Sequence, residues 1–406
     1  MPRLCIFGGK RLRGEIEVGG SKNAALPILF ATLTTRGITR LDGVPDILDV
    51  RVTLRILRCF GAKIRAEGQS LIIDTREVFY TRISGEITSM LRASTYLIGA
   101  CLSRFGRVEL SDYGGCSFGK RPIDMHVAAA CSLGAVNNNG ELACHELSAG
   151  EIRFDRISVG ATVNALIMCA SARGESRIYG YAREPHVFSL IDFLIGAGAD
   201  IKVFDDHISV KGASLLGSYA KIIPDMIEAG TYLALSLATD SDITVVGANA
   251  SELSSFSAFL TKYGVGIEEG KGYMRARGSL SGFAELSTGP YPDFPTDLQP
   301  QMAPLLALGC GGRITEGVWR ERFSYLAELS KFGVSYRRFD GGAEIYPSRL
   351  TAAVCTATDL RGGATLLIAA LAAPGESVIS SSELIDRGYQ DVVPKLSRLG
   401  ARIKEF

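Results

Sequence analysis

The chain has 406 residues and a net charge of +1, and 47% of its residues are hydrophobic while 21% are charged. This composition favours folded domains with large cores and argues against disorder. The near-neutral charge argues against a surface that binds nucleic acid or an anionic membrane.

The N-terminal stretch MPRLCIFGGKRLRGEIEVGG has no apolar core of signal-peptide length, and no apolar run is long enough for a membrane span. The nine cysteines are scattered without a CxxC pair, so a disulfide framework or a zinc site is not expected. Most of them should be small buried residues. We therefore expect a cytoplasmic protein without a metal or another cofactor.

The first repeated feature is a glycine phrase, such as CFGAKI or KFGVSY, that ends an amphipathic helical pattern. It occurs six times, at Gly61, Gly134, Gly198, Gly264, Gly333 and Gly400. The first five copies precede a strand-like run such as HISVKG. A glycine in this place is typical of a left-handed helix stop, which predicts six helix-to-strand turns.

The second repeated feature is a small apolar helix upstream of each glycine phrase. Its six copies are SKNAALPILFATLT, SMLRASTYLIGACL, SVGATVNALIMCASA, EAGTYLALSLAT, TDLQPQMAPLLALG and TDLRGGATLLIAALAA. These helices are apolar nearly all round, which predicts that they are buried, and a strand-like run follows each. The repeating unit is therefore β-α-β-α-β-β over about 68 residues.

Six such units are too many for one hydrophobic core, so we predict an α/β (α+β) fold of two domains with three repeats each. If the buried helices of a domain are parallel, their N-termini collect at one end. Unpaired N–H groups and positive dipole ends would there attract phosphates and carboxylates in a cleft between the domains. The residues at these helix starts include Lys22, Asn23, Arg92, Asp297 and Arg361.

The glycine-rich stretch DYGGCSFGKRPIDMH places Cys116 beside Lys120 and Arg121. Positive charge nearby lowers the pKa of a thiol and promotes its reaction as a nucleophile. The alternative is an exposed thiol without a chemical role, and local sequence leaves both interpretations open. His126 follows closely, but a histidine in this setting is more often a packing or hydrogen-bonding residue.

Arginines recur in apolar contexts, at Arg92, Arg121, Arg322, Arg361 and Arg387. An arginine in such a place must be paired by a carboxylate or by an anionic ligand. Any single one could form an internal ion pair. Several together favour a substrate that carries more than one negative charge.

Asp297 opens a helix in the phrase DFPTDLQPQ. It could simply stabilise its own helix from the first turn. The functional alternative is a general base, which a helix N-terminus would keep ionised but only weakly basic. Trp319, close to Arg322, could be a stacking surface, but we expect a core residue.

Many phrases together resemble one known family. They are GGSKNAALPIL, MLRAS, GGCSFGKRPIDMH, SVGATVNA, IPDMIEAGTYL, PDFPTDLQPQ, RFSYLAELSKFG, ATDLRGGA and IDRGYQDVVPKLSRLGA. In this order, along essentially the whole chain, they resemble the UDP-N-acetylglucosamine 1-carboxyvinyltransferase family of enolpyruvyl transferases. The resemblance implies two inside-out α/β barrel-like domains, residues 21–226 and residues 1–20 plus 227–406, with the active site in the cleft between them.

The resemblance also implies a reaction, the transfer of enolpyruvate from phosphoenolpyruvate to the 3-hydroxyl of UDP-N-acetylglucosamine with release of phosphate. This is the first committed step of peptidoglycan synthesis. Phosphoenolpyruvate would be held by Lys22, Arg121 and Arg387, with Arg92 and Arg361 near its phosphate or carboxylate. The sugar nucleotide would contact Asn23, Asp297 and Val318, and Trp319 stands where the family usually has a smaller aromatic residue. The uridine-diphosphate side would be lined by Pro122, Ile123, Asp124, Met125, Ser158, Val159 and Gly160.

By the same resemblance, Asp297 would take the proton from the attacking hydroxyl. Cys116 would protonate the methylene carbon, form a covalent adduct or help product to leave, and these alternatives stay open. Its loop would close over the substrates, and fosfomycin would alkylate the thiol. Departures from the family at His186, Asp192 and Arg156 put the nucleotide preference in doubt.

Two further hypotheses remain at this stage. The chain could be a sister enolpyruvyl transferase that uses another hydroxyl acceptor, or a paralogue that binds the nucleotide without turnover. We expect small-molecule substrates, no nucleic-acid or membrane partner, and a monomer or a weak homo-oligomer.

Overall fold

The structure is a computed structural model that describes residues 2–110 and 122–406. These residues divide into two compact units. Unit A comprises residues 20–110 and 122–223, and unit B comprises residues 2–19 and 224–406. Each unit encloses its own cluster of buried apolar residues. The predicted domain boundaries and the cleft between the domains stay predictions.

The described residues contain thirteen α-helices. They are α1 Lys22–Ala31, α2 Leu48–Cys59, α3 Gly85–Ser89, α4 Leu97–Phe105, α5 Asp124–Ser132, α6 Val159–Cys169, α7 Pro185–Gly196, α8 Met226–Ala238, α9 Ser254–Lys262, α10 Gln299–Leu308, α11 Tyr325–Leu329, α12 Leu360–Ala372 and α13 Val392–Arg398. Five short 3₁₀ turns accompany them, at Thr32–Thr34, Arg92–Tyr96, Thr296–Leu298, Ser330–Phe332 and Ser382–Leu384.

The described residues form twenty-three strands. They are β1 Arg3–Gly8, β2 Arg13–Glu17, β3 Ile38–Asp42, β4 Lys63–Glu67, β5 Ser70–Asp74, β6 Arg107–Glu109, β7 Val136–Asn138, β8 Glu141–Ala143, β9 Glu151–Arg153, β10 Glu175–Tyr179, β11 Asp200–Val203, β12 His207–Lys211, β13 Tyr219–Lys221, β14 Asp242–Val246, β15 Gly266–Gly270, β16 Tyr273–Arg277, β17 Ala284–Ser287, β18 Gly312–Thr315, β19 Tyr336–Phe339, β20 Gly342–Ile345, β21 Val354–Thr356, β22 Gly375–Ser380 and β23 Arg402–Glu405. Strands β1, β2 and β14–β23 belong to unit B, and strands β3–β13 belong to unit A.

The sheets repeat one topology. Five of them have the orders β13-β3-β5-β4, β9-β10-β12-β11, β2-β14-β16-β15, β17-β18-β20-β19 and β21-β22-β1-β23. In each, the first two strands are parallel and the remaining neighbours are antiparallel. The sixth sheet has the described strands β6-β8-β7. Strand β1 pairs with β22 and β23, and β2 pairs with β14, so the start of the chain completes sheets of unit B.

The six predicted helix-to-strand turns are confirmed. The glycine of each phrase has a positive φ, from 88° at Gly61 to 116° at Gly198. A side chain is strained in this left-handed region, whereas glycine enters it freely and lets the chain turn from helix into strand. One local signal therefore sets the repeat through both units.

The six apolar helices are α1, α4, α6, α8, α10 and α12, and they are buried as predicted. Four of them begin at side-chain N-caps, which are Ser21, Ser158, Asp225 and Asp359. The middle helix of each unit, α4 or α10, instead follows a 3₁₀ turn without a side-chain cap. These two turns carry Arg92 and Asp297, so both charged residues lie at the start of a buried helix.

The prediction that most cysteines are buried is wrong. Of the eight cysteines that the structure describes, only Cys101, Cys169 and Cys355 are buried, while Cys59, Cys131 and Cys310 are exposed. A thiol is small and weakly polar, so it is tolerated near the ends of helices such as α2, α5 and α10 as well as in a core. No helix within residues 2–110 and 122–406 is long and apolar enough to cross a bilayer.

Candidate active site

The predicted site residues fall into three groups. Cys116, Lys120 and Arg121 lie outside the described residues. Asp297, Val318, Trp319, Arg361 and Arg387 belong to unit B, and the remaining predicted residues belong to unit A.

In unit B, the carboxylate of Asp297 lies between two buried arginines. Its Oδ1 is 2.7 Å from an Nη1 of Arg322, and its Oδ2 is 2.9 Å from Nη2 of Arg361. The two arginine side chains are 7% and 4% exposed, whereas the Asp297 side chain is 25% exposed. One carboxylate thus faces two guanidinium groups, and it keeps some contact with solvent.

This arrangement controls the charge of Asp297. Burial alone would favour the neutral acid, but the charges and hydrogen bonds of Arg322 and Arg361 outweigh burial and hold the pKa of Asp297 well below its usual range. The local sequence indicated an ionised group at a helix start. The structure adds the stronger cause, which is a pair of arginines from distant segments.

The segment with Arg387 is packed against the start of α12. Asp359 caps this helix by accepting hydrogen bonds from the backbone N–H groups of Arg361 and Gly362. At Gly388, a Cβ atom would lie 2.6 Å from Leu360 Cδ2, so any larger residue here would have to displace the Leu360 side chain. The phrase IDRGYQ therefore brings Arg387 to the end of unit B that carries Arg361.

The turn with Val318 and Trp319 is held by a buried carboxylate. Oε1 of Glu316 accepts hydrogen bonds from the backbone N–H groups of Val318 and Trp319, each at 2.9 Å, and from Thr288 Oγ1 at 2.6 Å. Val318 is exposed and Trp319 is half-buried, so Trp319 is not a core residue. No role was predicted for Glu316, which directly follows strand β18 and lies two residues before Val318.

In unit A, Lys22 forms a buried ion pair at the start of α1. Its Nζ lies 2.5 Å from Oδ2 of Asp49, and the two side chains are 13% and 3% exposed. Asp49 lies in the first turn of α2, where the positive end of the helix dipole favours a carboxylate. Asp49 was not among the predicted site residues, because a carboxylate in the first turn of a helix does not by itself indicate a site.

The predicted nucleotide-side residues of unit A collect where α5 and α6 begin. Pro122 and Ile123 precede α5, and Ser158 caps α6. Nη2 of Arg92 lies 3.5 Å from the carbonyl oxygen of Pro122. A Cβ atom on Gly160 would lie 3.1 Å from His126, so the first turns of the two helices are in close contact.

Asp124 of the same group is paired with Arg156. Arg156 Nη2 donates to Asp124 Oδ2 at 2.7 Å, and this hydrogen bond lowers the pKa of the carboxyl group. Both side chains are about half exposed, so the pair contributes little to stability. Arg156, which the resemblance predicts to differ from the family, lies against a residue predicted to contact the nucleotide.

His126 is a buried hydrogen-bonding residue, as the sequence analysis favoured. Asn164 Nδ2 donates to His126 Nδ1 at 2.7 Å and to the carbonyl oxygen of Thr95 at 3.1 Å. Asn164 Oδ1 accepts from the N–H of Gly99 at 2.7 Å. The Asn164 side chain therefore joins the start of α4 to α5 and α6. Because its Nδ2 donates to Nδ1 of His126, the imidazole is neutral and carries its proton on Nε2.

We predict a pH-dependent stability that depends on His126. Burial lowers its pKa to about 4, and the charge of Arg92 adds to this effect, while Asp124 opposes it. In the unfolded chain the imidazole takes up a proton near pH 6.5, so the folded state loses about 2 kcal/mol between pH 7.5 and pH 5 from this group. Stability from this source is complete above pH 6.5 and is lost as the pH falls toward 4.

Urea unfolding at both pH values measures this effect. In His126→Asn the fall in the free energy of unfolding should be smaller by about 2 kcal/mol. His145→Asn, at an exposed position, is the matched control and should keep the full fall. An equal fall in wild type and His126→Asn would contradict the prediction.

Comparison with known proteins decides the family. The family described as EPSP synthase (3-phosphoshikimate 1-carboxyvinyltransferase) matches residues 6–396. UDP-N-acetylglucosamine 1-carboxyvinyltransferase 3 of Caldanaerobacter subterraneus subsp. tengcongensis is 39% identical over 414 residues, and the match covers 99% of each chain. The chain belongs to the enolpyruvyl transferase family.

Other enolpyruvyl transferases agree with this result. UDP-N-acetylglucosamine 1-carboxyvinyltransferase 2 of Clostridium acetobutylicum is 38% identical, with 100% of this chain and 99% of the relative covered. The solved structure of the enolpyruvyl transferase NikO from Streptomyces tendae has a TM-score of 0.89 at 26% identity, and it covers 100% of this chain and 99% of its own. EPSP synthase of Acinetobacter baumannii, with a TM-score of 0.73 at 16% identity and full coverage of both chains, shares the fold. The predicted family and fold class are confirmed.

Proposed function

We propose that this enolpyruvyl transferase moves enolpyruvate from phosphoenolpyruvate to the 3-hydroxyl of UDP-N-acetylglucosamine and releases phosphate. The observation that carries the proposal is the ionised Asp297 between Arg322 and Arg361, in a chain that is 39% identical to a relative with that name. Such a site offers a proton acceptor beside groups that bind anions. The product would enter peptidoglycan synthesis.

The proposed reaction is an addition followed by an elimination. Asp297 takes the proton of the sugar 3-hydroxyl while the hydroxyl oxygen bonds to C2 of phosphoenolpyruvate. The methylene carbon C3 takes up a proton from Cys116. In the second step the Cys116 thiolate takes a proton back from C3, the C2–C3 double bond re-forms, and the bond from C2 to the phosphate oxygen breaks, while the proton held by Asp297 passes to the departing phosphate. Protons and electrons balance, and inorganic phosphate is the leaving group.

The two arginines make Asp297 a weak base in the free protein, so its basicity must rise during the reaction. Phosphoenolpyruvate carries close to three negative charges, and Arg361 and Arg387 are among its proposed ligands. An anion beside Arg361 opposes the guanidinium charge and raises the pKa of Asp297. Binding of the first substrate thereby prepares the carboxylate to accept the hydroxyl proton of the second.

The proposed ligands in unit A have matching chemistry. Lys22 and Arg92 carry positive charge at the starts of α1 and α4, and Asn23 offers an amide in the first turn of α1. On the nucleotide side, helix α6 begins at Ser158, Val159 and Gly160, where backbone N–H groups suit phosphate oxygens. Phosphoenolpyruvate is also proposed to bind Arg121. The uridine-diphosphate side of the sugar nucleotide is proposed to contact Pro122, Ile123, Asp124 and Met125.

We also propose that fosfomycin alkylates Cys116, because the thiol follows two glycines and precedes Lys120 and Arg121 in the sequence. Intact-mass spectrometry in the presence of UDP-N-acetylglucosamine should show one added fosfomycin on the wild type and none on Cys116→Ser. An unmodified wild type, or an adduct on the exposed Cys59, Cys131 or Cys310, would contradict this proposal.

The protein is proposed to act in the cytoplasm as a monomer or weak homo-oligomer.

The function is tested with phosphoenolpyruvate and a panel of hydroxyl acceptors, with phosphate release as the readout. UDP-N-acetylglucosamine should support turnover, and a Cys116→Ser, Asp297→Ala double variant should not. Turnover only with shikimate 3-phosphate or with another nucleotide would assign the chain to a sister transferase. Calorimetric binding of the sugar nucleotide without any phosphate release would identify a paralogue without catalytic activity.

A further inference from the structure

A buried tyrosine hydroxyl connects the N-terminal halves of all three apolar helices of unit B. Tyr389 is 3% exposed. Its hydroxyl oxygen lies 2.9 Å from Thr231 Oγ1 on α8, 3.3 Å from Gln301 Nε2 on α10 and 3.2 Å from Arg361 Nη1 on α12. The proposed reaction gives no role to this hydroxyl.

The directions of these hydrogen bonds follow from the donors. Thr231 Oγ1 donates its proton to the carbonyl oxygen of Ile227 at 2.7 Å, so in the contact at 2.9 Å Tyr389 is the donor. The Tyr389 oxygen then accepts from Gln301 and Arg361. A phenol has one proton to donate and two lone pairs, and all of them are used here. The hydroxyl therefore has one satisfied orientation.

Arg361 extends this network to the proposed base. Its Nη1 donates to Tyr389, and its Nη2 donates to Oδ2 of Asp297 at 2.9 Å. A guanidinium group is planar and rigid, so an acceptor at Nη1 sets the direction in which Nη2 points. The Tyr389 oxygen thus restricts where the Asp297 carboxylate can be held.

We propose that Tyr389 is a positioning residue for enolpyruvyl transfer, because its hydroxyl orients Arg361 and, through Arg361, the carboxylate of Asp297. This inference rests on the proposed role of Asp297 as the proton acceptor. It also gives the motif IDRGYQ two functions, because its arginine is a proposed ligand of phosphoenolpyruvate and its tyrosine aligns the base.

Among the residues that the structure describes, Asp297 faces Arg322 and Arg361. The side chain of Arg361 is bonded to Asp297 and Tyr389. Its backbone N–H donates to the Asp359 carboxylate, and the negative charge of Asp225 acts on Arg361 as well. Loss of the Tyr389 hydroxyl would leave Arg322 in place, but Nη1 of Arg361 would lose its acceptor. The guanidinium group of Arg361 would then be held less firmly against Asp297, and the Asp297 carboxylate would be easier to protonate.

The test compares Tyr389→Phe with Tyr232→Phe in the full chain. Tyr232 is equally buried in unit B, and its hydroxyl donates to Glu228 at 2.8 Å rather than contacting Arg361. Each variant loses a buried hydroxyl, so both should show a lowered melting temperature. Only Tyr389→Phe should lose about tenfold in kcat, and its acid limb of kcat/KM should move to higher pH.

A second variant separates positioning from packing. Thr231→Val removes the group that accepts the Tyr389 proton, so Thr231→Val combined with Tyr389→Phe should have the same kcat as Tyr389→Phe alone. If Tyr389→Phe matches Tyr232→Phe in kcat and in pH profile, the inference is overturned. Absence of turnover in the wild type would instead overturn the proposed function, so the two failures are distinguishable.

Discussion

Asp297→Asn is expected to lower kcat for enolpyruvyl transfer by about 10²–10⁴-fold, which is the usual contribution of a general base. The substitution preserves the size of the side chain but removes the negative charge between Arg322 and Arg361. An amide cannot take the proton of the sugar hydroxyl. The measurement is steady-state phosphate release at pH 7.5 with both substrates saturating.

Asp293→Asn is the matched control for this prediction. Asp293 is an exposed carboxylate in the loop before the 3₁₀ turn that carries Asp297, four residues earlier in the chain. This variant should keep kcat within about twofold of the wild type, since surface substitutions of this kind have small effects. A kcat of Asp297→Asn within tenfold of wild type, in protein shown to be folded by its thermal transition, would exclude Asp297 as the base.

Arg361→Met is expected to destabilise the protein by about 3 kcal/mol, because it removes one of the two arginine partners of Asp297 and a donor to the buried Tyr389 hydroxyl. Arg361 is 3% exposed and is bonded to both Asp297 and Tyr389. The pKa of Asp297 should also rise, since one of the two positive charges that hold it down is gone. The unfolded chain titrates alike in both proteins, so this part of the cost is complete above the raised folded pKa of Asp297 in Arg361→Met and shrinks as the pH falls through that pKa. The cost should therefore be larger at pH 7 than in acid.

Arg320→Met serves as the control, because Arg320 pairs with Asp340 on the surface. That pair is exposed on both sides, so its loss should cost at most about 1 kcal/mol. Urea unfolding of both variants gives the comparison. A cost for Arg361→Met no greater than that for Arg320→Met would show that the buried network contributes no net stability.

The repeats could be predicted from the sequence because their signals are local. Six glycines at left-handed positions and six helices without a polar face each occupy thirteen residues or fewer, and neither depends on distant contacts. The positions of Lys22, Arg92, Asp297 and Arg361 at helix starts followed from the same patterns. The fold class therefore came from the repeat, and the family came from the order of the motifs.

The ion pairs could not be predicted in the same way. Arg361 lies 64 residues from Asp297 in sequence, and nothing local indicates that these two groups meet. Arg322 was recognised as an arginine that needs a partner, but the partner was left open. Asp49 was not recognised at all, since a carboxylate in the first turn of a helix ordinarily needs no further explanation. The prediction that most cysteines are buried was wrong because it used only the general preference of cysteine for burial. Such a preference says little about the position of any one thiol.

The most direct measurement is the structure of the product. After incubation with phosphoenolpyruvate and UDP-N-acetylglucosamine, NMR should show one enolpyruvyl ether on the 3-oxygen of the sugar and one equivalent of phosphate. Wild type should form it and Asp297→Asn should form it far more slowly. An unchanged sugar nucleotide, or an enolpyruvyl group on another oxygen, would contradict the account.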